Sequence, residues 1–330
     1  MKVLITGADG VLGNNLVREV LKRNHSVTVL LFSKDLPALG LDGLPINRLY
    51  GNILDHSIVD AAVSGHDYVI HAAASTQVYP ARSAAIRNVN VGGTLNVIEA
   101  CLRHQVKRLI HVGTANSFAP GTVQKPGNEE GSFTGYKIGL DYIDSKYEAQ
   151  QRVLDAVHRR NLKALIVNPA FMIGPYDTKP SSGALLLALF HGRILGYSAG
   201  SKSYIPVKDA AVAIANALTL GEIGQCYILS NFSMKHKEAL KMMAKTIGVK
   251  PPSLYLPAWI VKLSGILASW KGRRSGNIPA LSKEMAIICC GHHCYSGEKA
   301  RRELLMPCSS FHSAVAECFE WFRQHYYIQK

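Results

Sequence analysis

An α/β fold, with a doubly wound parallel sheet and a smaller, mostly helical C-terminal lobe, is what this 330-residue sequence predicts. Two observations carry that expectation. Short β-rich runs alternate with helical stretches as far as Asn168, and those runs are continuously apolar, as strands covered on both faces must be. After Pro169 the alternation loosens and Gly and Pro become frequent.

In order, Lys2 to Thr6 reads as a strand, Val11 to Arg23 as a helix and Ser26 to Leu31 as a strand. Asp67 to His71 is the next strand, Ala81 to His104 a long helix, and Lys107 to Val112 a strand. Asp141 to Arg159 is a helix and Lys163 to Asn168 a strand. The helices Ser182 to His191 and Lys235 to Ile247 stand apart in the lobe. Residues 204–218 read as a short strand leading back into a helix of the first domain. The domains therefore interleave. Residues 1–175, with 204–230 returning, form the nucleotide-binding unit, and 176–203 with 231–330 form the substrate lobe.

Composition narrows the class. With 48% apolar and 18% charged residues the chain is globular rather than disordered. The net charge of +14 invites a nucleic-acid reading, but no zinc-finger spacing or RNP-type aromatic motif is present and the basic residues are spread out, so no nucleic-acid partner is expected. The N-terminus runs straight into Val3-Leu4-Ile5, which reads as no secretory signal and a cytoplasmic setting. Leu254 to Trp270 is the nearest approach to the roughly 18 to 20 apolar residues of a spanning helix, but Lys262, Ser264, Gly265 and Ser269 interrupt it. It reads as an amphipathic helix packed on the substrate pocket. Because it ends in Lys271-Gly272-Arg273-Arg274, a sharper reading is a peripheral membrane-surface helix. Seven cysteines, an odd number, argue against structural disulfides. Cys289, Cys290, His292, His293 and Cys294 lack the spacing of a zinc site, so no metal is expected and the segment reads as a buried strand with reduced thiols.

The sequence Thr6-Gly7-Ala8-Asp9-Gly10-Val11-Leu12-Gly13 follows the first strand and opens a helix. One glycine permits the tight turn, the next lets the backbone approach a pyrophosphate, and the third lets helix and strand pack closely. The free amides of the helix start favour the phosphates. Such a Rossmann-type turn makes a dinucleotide the expected cofactor, held by Gly7, Gly10, Val11, Leu12 and Gly13.

A carbonyl reductase needs a proton donor. A tyrosine serves if a lysine one turn along the helix lowers its pKa from about 10. Tyr-x-x-x-Lys occurs at Tyr142/Lys146, Tyr204/Lys208, Tyr295/Lys299 and Tyr326/Lys330. Pro206 bars a helix in the second pair, Tyr295 precedes a new helix start, and Tyr326 is in the terminal tail. Only Tyr142/Lys146 lies in a long helix between two apolar strands, after a strand ending in Gly113-Thr114-Ala115.

Over nearly its whole length the chain resembles the extended short-chain dehydrogenase/reductase family. The resemblance rests on the glycine turn, Asp55, His71-Ala72-Ala73-Ala74, Asn90-Val91-Gly92-Gly93-Thr94, Thr114, Tyr142 to Lys146, Asn168-Pro169 to Gly174-Pro175, and Tyr295 to Leu305. It implies Thr114, Tyr142 and Lys146 as catalytic residues. It adds Asn52, Ile53, Ala72, Ala73, Ala74, Lys146 and Pro169 to the cofactor site, and Gln77, Ser117, Asn168 and Phe171 to the substrate site.

Two branches of that family compete. Nucleotide-sugar epimerases and dehydratases carry an arginine before the Val-x-Asp motif of a late strand. Here the segment reads Lys202-Ser203-Tyr204-Ile205-Pro206-Val207-Lys208-Asp209, without it, and Lys202 is only a partial substitute. The segment looks more like the dihydroflavonol-reductase and 3β-hydroxysteroid-dehydrogenase branch. That branch implies a hydrophobic ketone or secondary alcohol as substrate, with the apolar runs Ala184 to Phe190 and Leu254 to Trp270 walling the pocket. A homodimer and a peripheral membrane contact stay open. At the end of the second strand neither the acid expected for NAD nor the arginine expected for NADP is present. Ser33 and Lys34 are within reach of a 2′-phosphate and Asp35 lies a step too far into the loop, so NADP(H) is favoured over NAD(H).

Overall fold

The computed structural model describes residues 1–34, 40–325 and 327–328; Asp35 and the Tyr326/Lys330 pair lie outside them. The first part of the chain runs β1 (Lys2–Thr6), α1 (Val11–Lys22), β2 (Ser26–Leu31), β3 (Asn47–Tyr50), α2 (His56–Val63) and β4 (Tyr68–His71). It continues through α3 (Ala84–Arg87), α4 (Gly93–Arg103), β5 (Arg108–Val112), α5 (Asp141–Arg160) and β6 (Ala164–Pro169). The remainder is β7 (Phe171–Ile173), α6 (Ala184–Phe190), β8 (Gly196–Tyr197), β9 (Ser201–Pro206), α7 (Val207–Asn216), β10 (Cys226–Leu229) and β11 (Phe232–Lys235). Then follow α8 (His236–Thr246), β12 (Leu254–Tyr255), α9 (Ala258–Ser275), α10 (Lys283–Cys290), β13 (His292–His293), α11 (Glu298–Glu303) and α12 (Phe311–Gln324).

Seven strands form one sheet in the order β10-β6-β5-β4-β1-β2-β3, and every pairing is parallel. The order in which strands are added reverses between β1 and β4, which opens a crevice at the carboxyl ends of those strands, where doubly wound folds bind ligands. The continuous apolar runs have a simple cause: alternate residues of one strand feed two cores. Val3 and Ile5 of β1 join Leu16, Val17 and Ile214 on one face. Leu4 joins Val59, Val97 and Val153 on the other. Full burial of such side chains contributes about 1.5–3 kcal/mol each, set against the entropy of ordering the chain.

Where the structure departs from the sequence reading, the causes are physical. The helix expected from Ala81 starts at Ala84 and carries a π-helical turn at Asn88–Gly92, which a 3.6-residue periodicity cannot reveal. The strand expected within 204–218 does not enter the main sheet. It is β9, which pairs with β7, β11 and β13 in a separate small sheet, while α7 packs against α1 and β10 completes the large sheet. β3 and α2 passed unnoticed because β3, half exposed at the sheet edge, has no apolar run. The segment read as a buried strand of thiols is only partly strand: Cys289 and Cys290 close α10, His292 and His293 form β13, and Cys294 makes an isolated bridge to Gly121.

Candidate functional site

The glycine turn leads straight from β1 into α1. Gly7 has φ +71, and a Cβ there would lie 2.6 Å from the Ala73 backbone nitrogen. A Cβ on Gly13 would lie 2.1 Å from the Gly7 carbonyl oxygen. Both positions are closed to any side chain by the protein's own backbone. Gly10 is different: a Cβ would meet only the Gly7 oxygen, at 3.5 Å. Its smallness serves something other than the protein. α1 begins there with no side-chain cap and no acid in its first turn, so its first amides, beyond reach of any helix carbonyl, open on the cleft. A dinucleotide diphosphate fits this cradle.

Beside the turn, His71 ends β4, buried between two threonines. Thr94 Oγ1 donates its only proton to the Asn90 carbonyl, at 2.6 Å, so at 3.1 Å it must accept from His71 Nε2. His71 Nδ1 is then the acceptor for Thr6 Oγ1 at 2.8 Å, and Thr6 in turn accepts from the Ala73 amide at 3.2 Å. This chain specifies a neutral imidazole. Burial, and then the Lys146 charge, lower its pKa to about 3. The π-helical turn sets Asn90 between two elements. Its Oδ1 accepts from the Ser75 amide at 2.7 Å, and its Nδ2 donates to Ser145 Oγ at 2.9 Å. Asn90 thus ties the loop after β4 to α5.

Thr114, Tyr142 and Lys146 come together on the wall of the same cleft. Thr114 follows β5 in extended conformation, its amide donating to Asn168 Oδ1 at 3.0 Å. Asn168 lies so close that a Cβ on Gly113 would be 2.1 Å from its Oδ1, which accounts for that glycine. Tyr142 and Lys146 are one turn apart on α5, whose first turn is held by Arg82 pairing with Asp141 at 2.6 Å and Asp144 at 2.8 Å. The electrostatics differ from the sequence expectation. Lys146 does not depress the tyrosine: its Nζ donates to the Val112 carbonyl, and burial lowers its own pKa to about 8. Burial instead raises the Tyr142 phenol, opposed by a hydrogen bond with Thr114.

One cleft of about 850 Å³ joins these parts. Gly7, Gly10, Val11, Leu12, Gly13, Ile53, Ala72, Ala73, Ala74 and Pro169 line it together with Thr114, Tyr142, Lys146 and Phe171. Other expected residues fall elsewhere. Asn52 is exposed and its Oδ1 accepts from its own loop, the Leu54 amide, at 3.0 Å. Ser33 and Lys34 lie past the end of β2 and are not on the wall, whereas Leu30 and Phe32 are; the Lys34 ammonium sits 5.4 Å from the Tyr50 ring centroid. Gln77 is exposed next to wall residues Thr76 and Val78. Asn168 is wholly buried behind Thr114 rather than open to substrate. Ser117 faces a separate cavity of about 440 Å³ with Glu129 and Gln150.

The expected apolar walls need correction too. Neither α6 nor α9 lines the cleft: Leu186 and Leu189 of α6 fill the lobe core, and the large side chains of α9 point outward. The far wall is made by Met285 and Ile288 of α10, with His293, Tyr295 and Lys202. Tyr295 donates to Asn116 Oδ1 at 3.2 Å, and the Lys202 ammonium lies 4.4 Å from the Phe171 ring centroid. Sequence reasoning missed Met285, Ile288 and Asn116 because nothing local distinguishes them; folding alone brings residues so distant to one wall. Asp55, part of the resemblance, caps α2 through Ser57 and Ile58 amides at 2.9 and 3.3 Å. Among the described residues no group of three or more His, Cys, Asp or Glu is placed to hold a metal ion.

A phosphate turn at the switch point of a seven-stranded parallel sheet, with threonine, tyrosine and lysine in the same cleft, defines a dinucleotide-binding enzyme class. The chain belongs to the NAD dependent epimerase/dehydratase family, whose model matches residues 3–229, within the extended short-chain dehydrogenase/reductase superfamily. It is 28% identical over 330 residues to sterol demethylase protein B of Methylococcus capsulatus, covering 98% of this chain and 99% of that protein. It is 28% identical over 322 residues to a 2-alkyl-3-oxoalkanoate reductase of Stenotrophomonas maltophilia, covering 92% and 93%. The crystal structure of gox2253 matches with a TM-score of 0.87 and 27% identity over 99% of both chains.

Proposed function

We propose that this enzyme is an NAD(P)-dependent oxidoreductase interconverting a ketone and a secondary alcohol on a hydrophobic small molecule. The observation that carries the reading is the continuity of the cleft from the glycine turn to Tyr142. A nicotinamide cofactor bound along it supplies or accepts the hydride. In the reducing direction Tyr142 donates a proton to the carbonyl oxygen, and its raised pKa keeps that proton in place at neutral pH. Thr114 orients the oxygen by hydrogen bonding. The Lys146 ammonium, held beside them by Val112, supplies positive charge and a donor for the cofactor ribose. Phe171, Met285 and Ile288 offer apolar surface to the substrate. Two relatives are named for a sterol and for a 2-alkyl-3-oxoalkanoate, molecules with large hydrocarbon parts, which supports the substrate class. Screening hydrophobic ketones with NADPH or NADH for absorbance loss at the nicotinamide band tests the reading. Tight UDP binding with no ketone turnover would overturn it. The second reading, a nucleotide-sugar epimerase or dehydratase on the same three residues, draws on Lys202, which reaches the cleft where such enzymes need a cation.

The charge of Lys146 sets an expected pH profile. Its folded-state pKa is lowered to about 8, so the ammonium is present below that pH and lost above it, while an unfolded lysine keeps its proton to about 10.4. The reductive kcat/KM of the free enzyme should therefore decline on the alkaline side with an apparent pKa near 8. A profile flat to pH 10 would show that this charge is not used.

NADP(H) is the proposed cofactor because Leu31, Phe32, Ser33 and Lys34 include no acid to meet a ribose hydroxyl and one exposed cation. Lys34→Glu should weaken NADPH binding by roughly tenfold or more and leave NADH nearly unchanged, measured by fluorescence titration. Equal behaviour towards both cofactors before and after the change would remove Lys34 from the site.

A further inference from the structure

The helix α9 is built inside out. Its buried positions are Val261, Gly265, Ser269 and Gly272, a stripe of mostly small residues. A Cβ on Gly265 would lie 2.6 Å from the Ala286 methyl of α10 and 2.9 Å from the Ser282 carbonyl oxygen, so the two helices touch at backbone distance. The large apolar side chains face the other way. Trp259 is 67% exposed and Trp270 57%, with Ile260, Leu263, Ile266 and Leu267 exposed between them. At about 100° per residue, Trp259, Leu263, Ile266 and Trp270 fall within an arc of about 60°, and the two tryptophans stand about 16 Å apart along the axis. A helix facing water shows the opposite arrangement.

The charges around this face select its occupant. α9 itself carries Lys262, Lys271, Arg273 and Arg274 and no Asp or Glu. Lys262 and Lys271 border the apolar arc on its two sides, and the Arg274 guanidinium lies 4.1 Å over the Trp270 ring. An apolar stripe with tryptophans at its ends and cations along its borders is the pattern of a helix lying in a bilayer interface. A second copy of the chain would bring the same four positive charges against themselves in a two-fold contact. Among the described residues no helix is long and apolar enough to cross a membrane, so the contact is with one leaflet.

We propose that the outward face of α9 docks the protein on an anionic lipid surface. α10 lies directly beneath, with Met285 and Ile288 on the cleft wall, so docking sets the bilayer one helix layer from the cleft. Vesicles of phosphatidylcholine, alone or with phosphatidylglycerol, test this with the purified full chain. Cosedimentation is expected with the anionic vesicles, much less with the neutral ones, and should weaken as salt rises. Brominated lipid should quench Trp259 and Trp270 but not Trp321, which is only 5% exposed. The double variant Trp259→Ser/Trp270→Ser should lose at least about tenfold in vesicle affinity while NADPH binding and melting temperature stay unchanged. Vesicle binding retained in that variant would overturn the proposal. So would a wild-type dimer that the double variant dissociates, with no binding to either vesicle.

Discussion

Tyr142→Phe is expected to reduce turnover by roughly two to four orders of magnitude, the usual worth of a positioned general acid. The change keeps the ring and removes only the hydroxyl that bonds Thr114, so cofactor affinity and melting temperature should barely move. Single-turnover oxidation of NADPH with an accepted ketone is the measurement. Near-normal turnover would disqualify Tyr142 and direct attention to Tyr295, the other tyrosine on the cleft wall, whose hydroxyl bonds Asn116. Tyr204, which also has a lysine four residues on, and Tyr136, six residues before Tyr142, are poor substitutes. Tyr136 is 60% exposed, and Tyr204 is buried in the lobe core against Phe311.

A paired substitution in the glycine turn should separate folding from binding. In Gly13→Ala the new methyl falls 2.1 Å from the Gly7 carbonyl and 2.5 Å from the Ala8 Cα, both backbone atoms that cannot step aside. The expected loss is about 1–3 kcal/mol of stability or more, seen as a lower melting temperature of the cofactor-free protein. Gly10→Ala meets nothing closer than 3.5 Å, at a φ of −82 that alanine adopts freely. Its cofactor-free melting temperature should equal that of the wild type. Its dinucleotide affinity should nonetheless drop by at least about tenfold, because the methyl occupies the approach of the diphosphate. Normal dinucleotide binding by Gly10→Ala would show that the cradle is not the phosphate site.

Much of this was legible along the chain because its signals are local. Alternating apolar strands and helices specify a parallel sheet; a glycine triplet after the first strand specifies a phosphate turn; a tyrosine and a lysine four apart specify one helix face. The sequence by itself therefore determined the fold class, the turn from Gly7 to Gly13 and the adjacency of Tyr142 and Lys146. Tertiary structure decided the rest, for two reasons. Electrostatics depend on burial and on partners remote in the chain: Lys146 turns to the Val112 carbonyl, 34 residues away, and Tyr142 is pushed up rather than down. And the direction in which a helix faces depends on what it packs against. The run Leu254 to Trp270 reads as pocket wall, yet α9 lies on α10 through Gly265 and Ser269 and turns its tryptophans outward. The family resemblance implies Asn168 as a substrate contact, but close approach of Gly113 buries it beneath Thr114. Composition cannot foretell either outcome, since the same side chains line a pocket or leave it according to which small residues let two backbones touch.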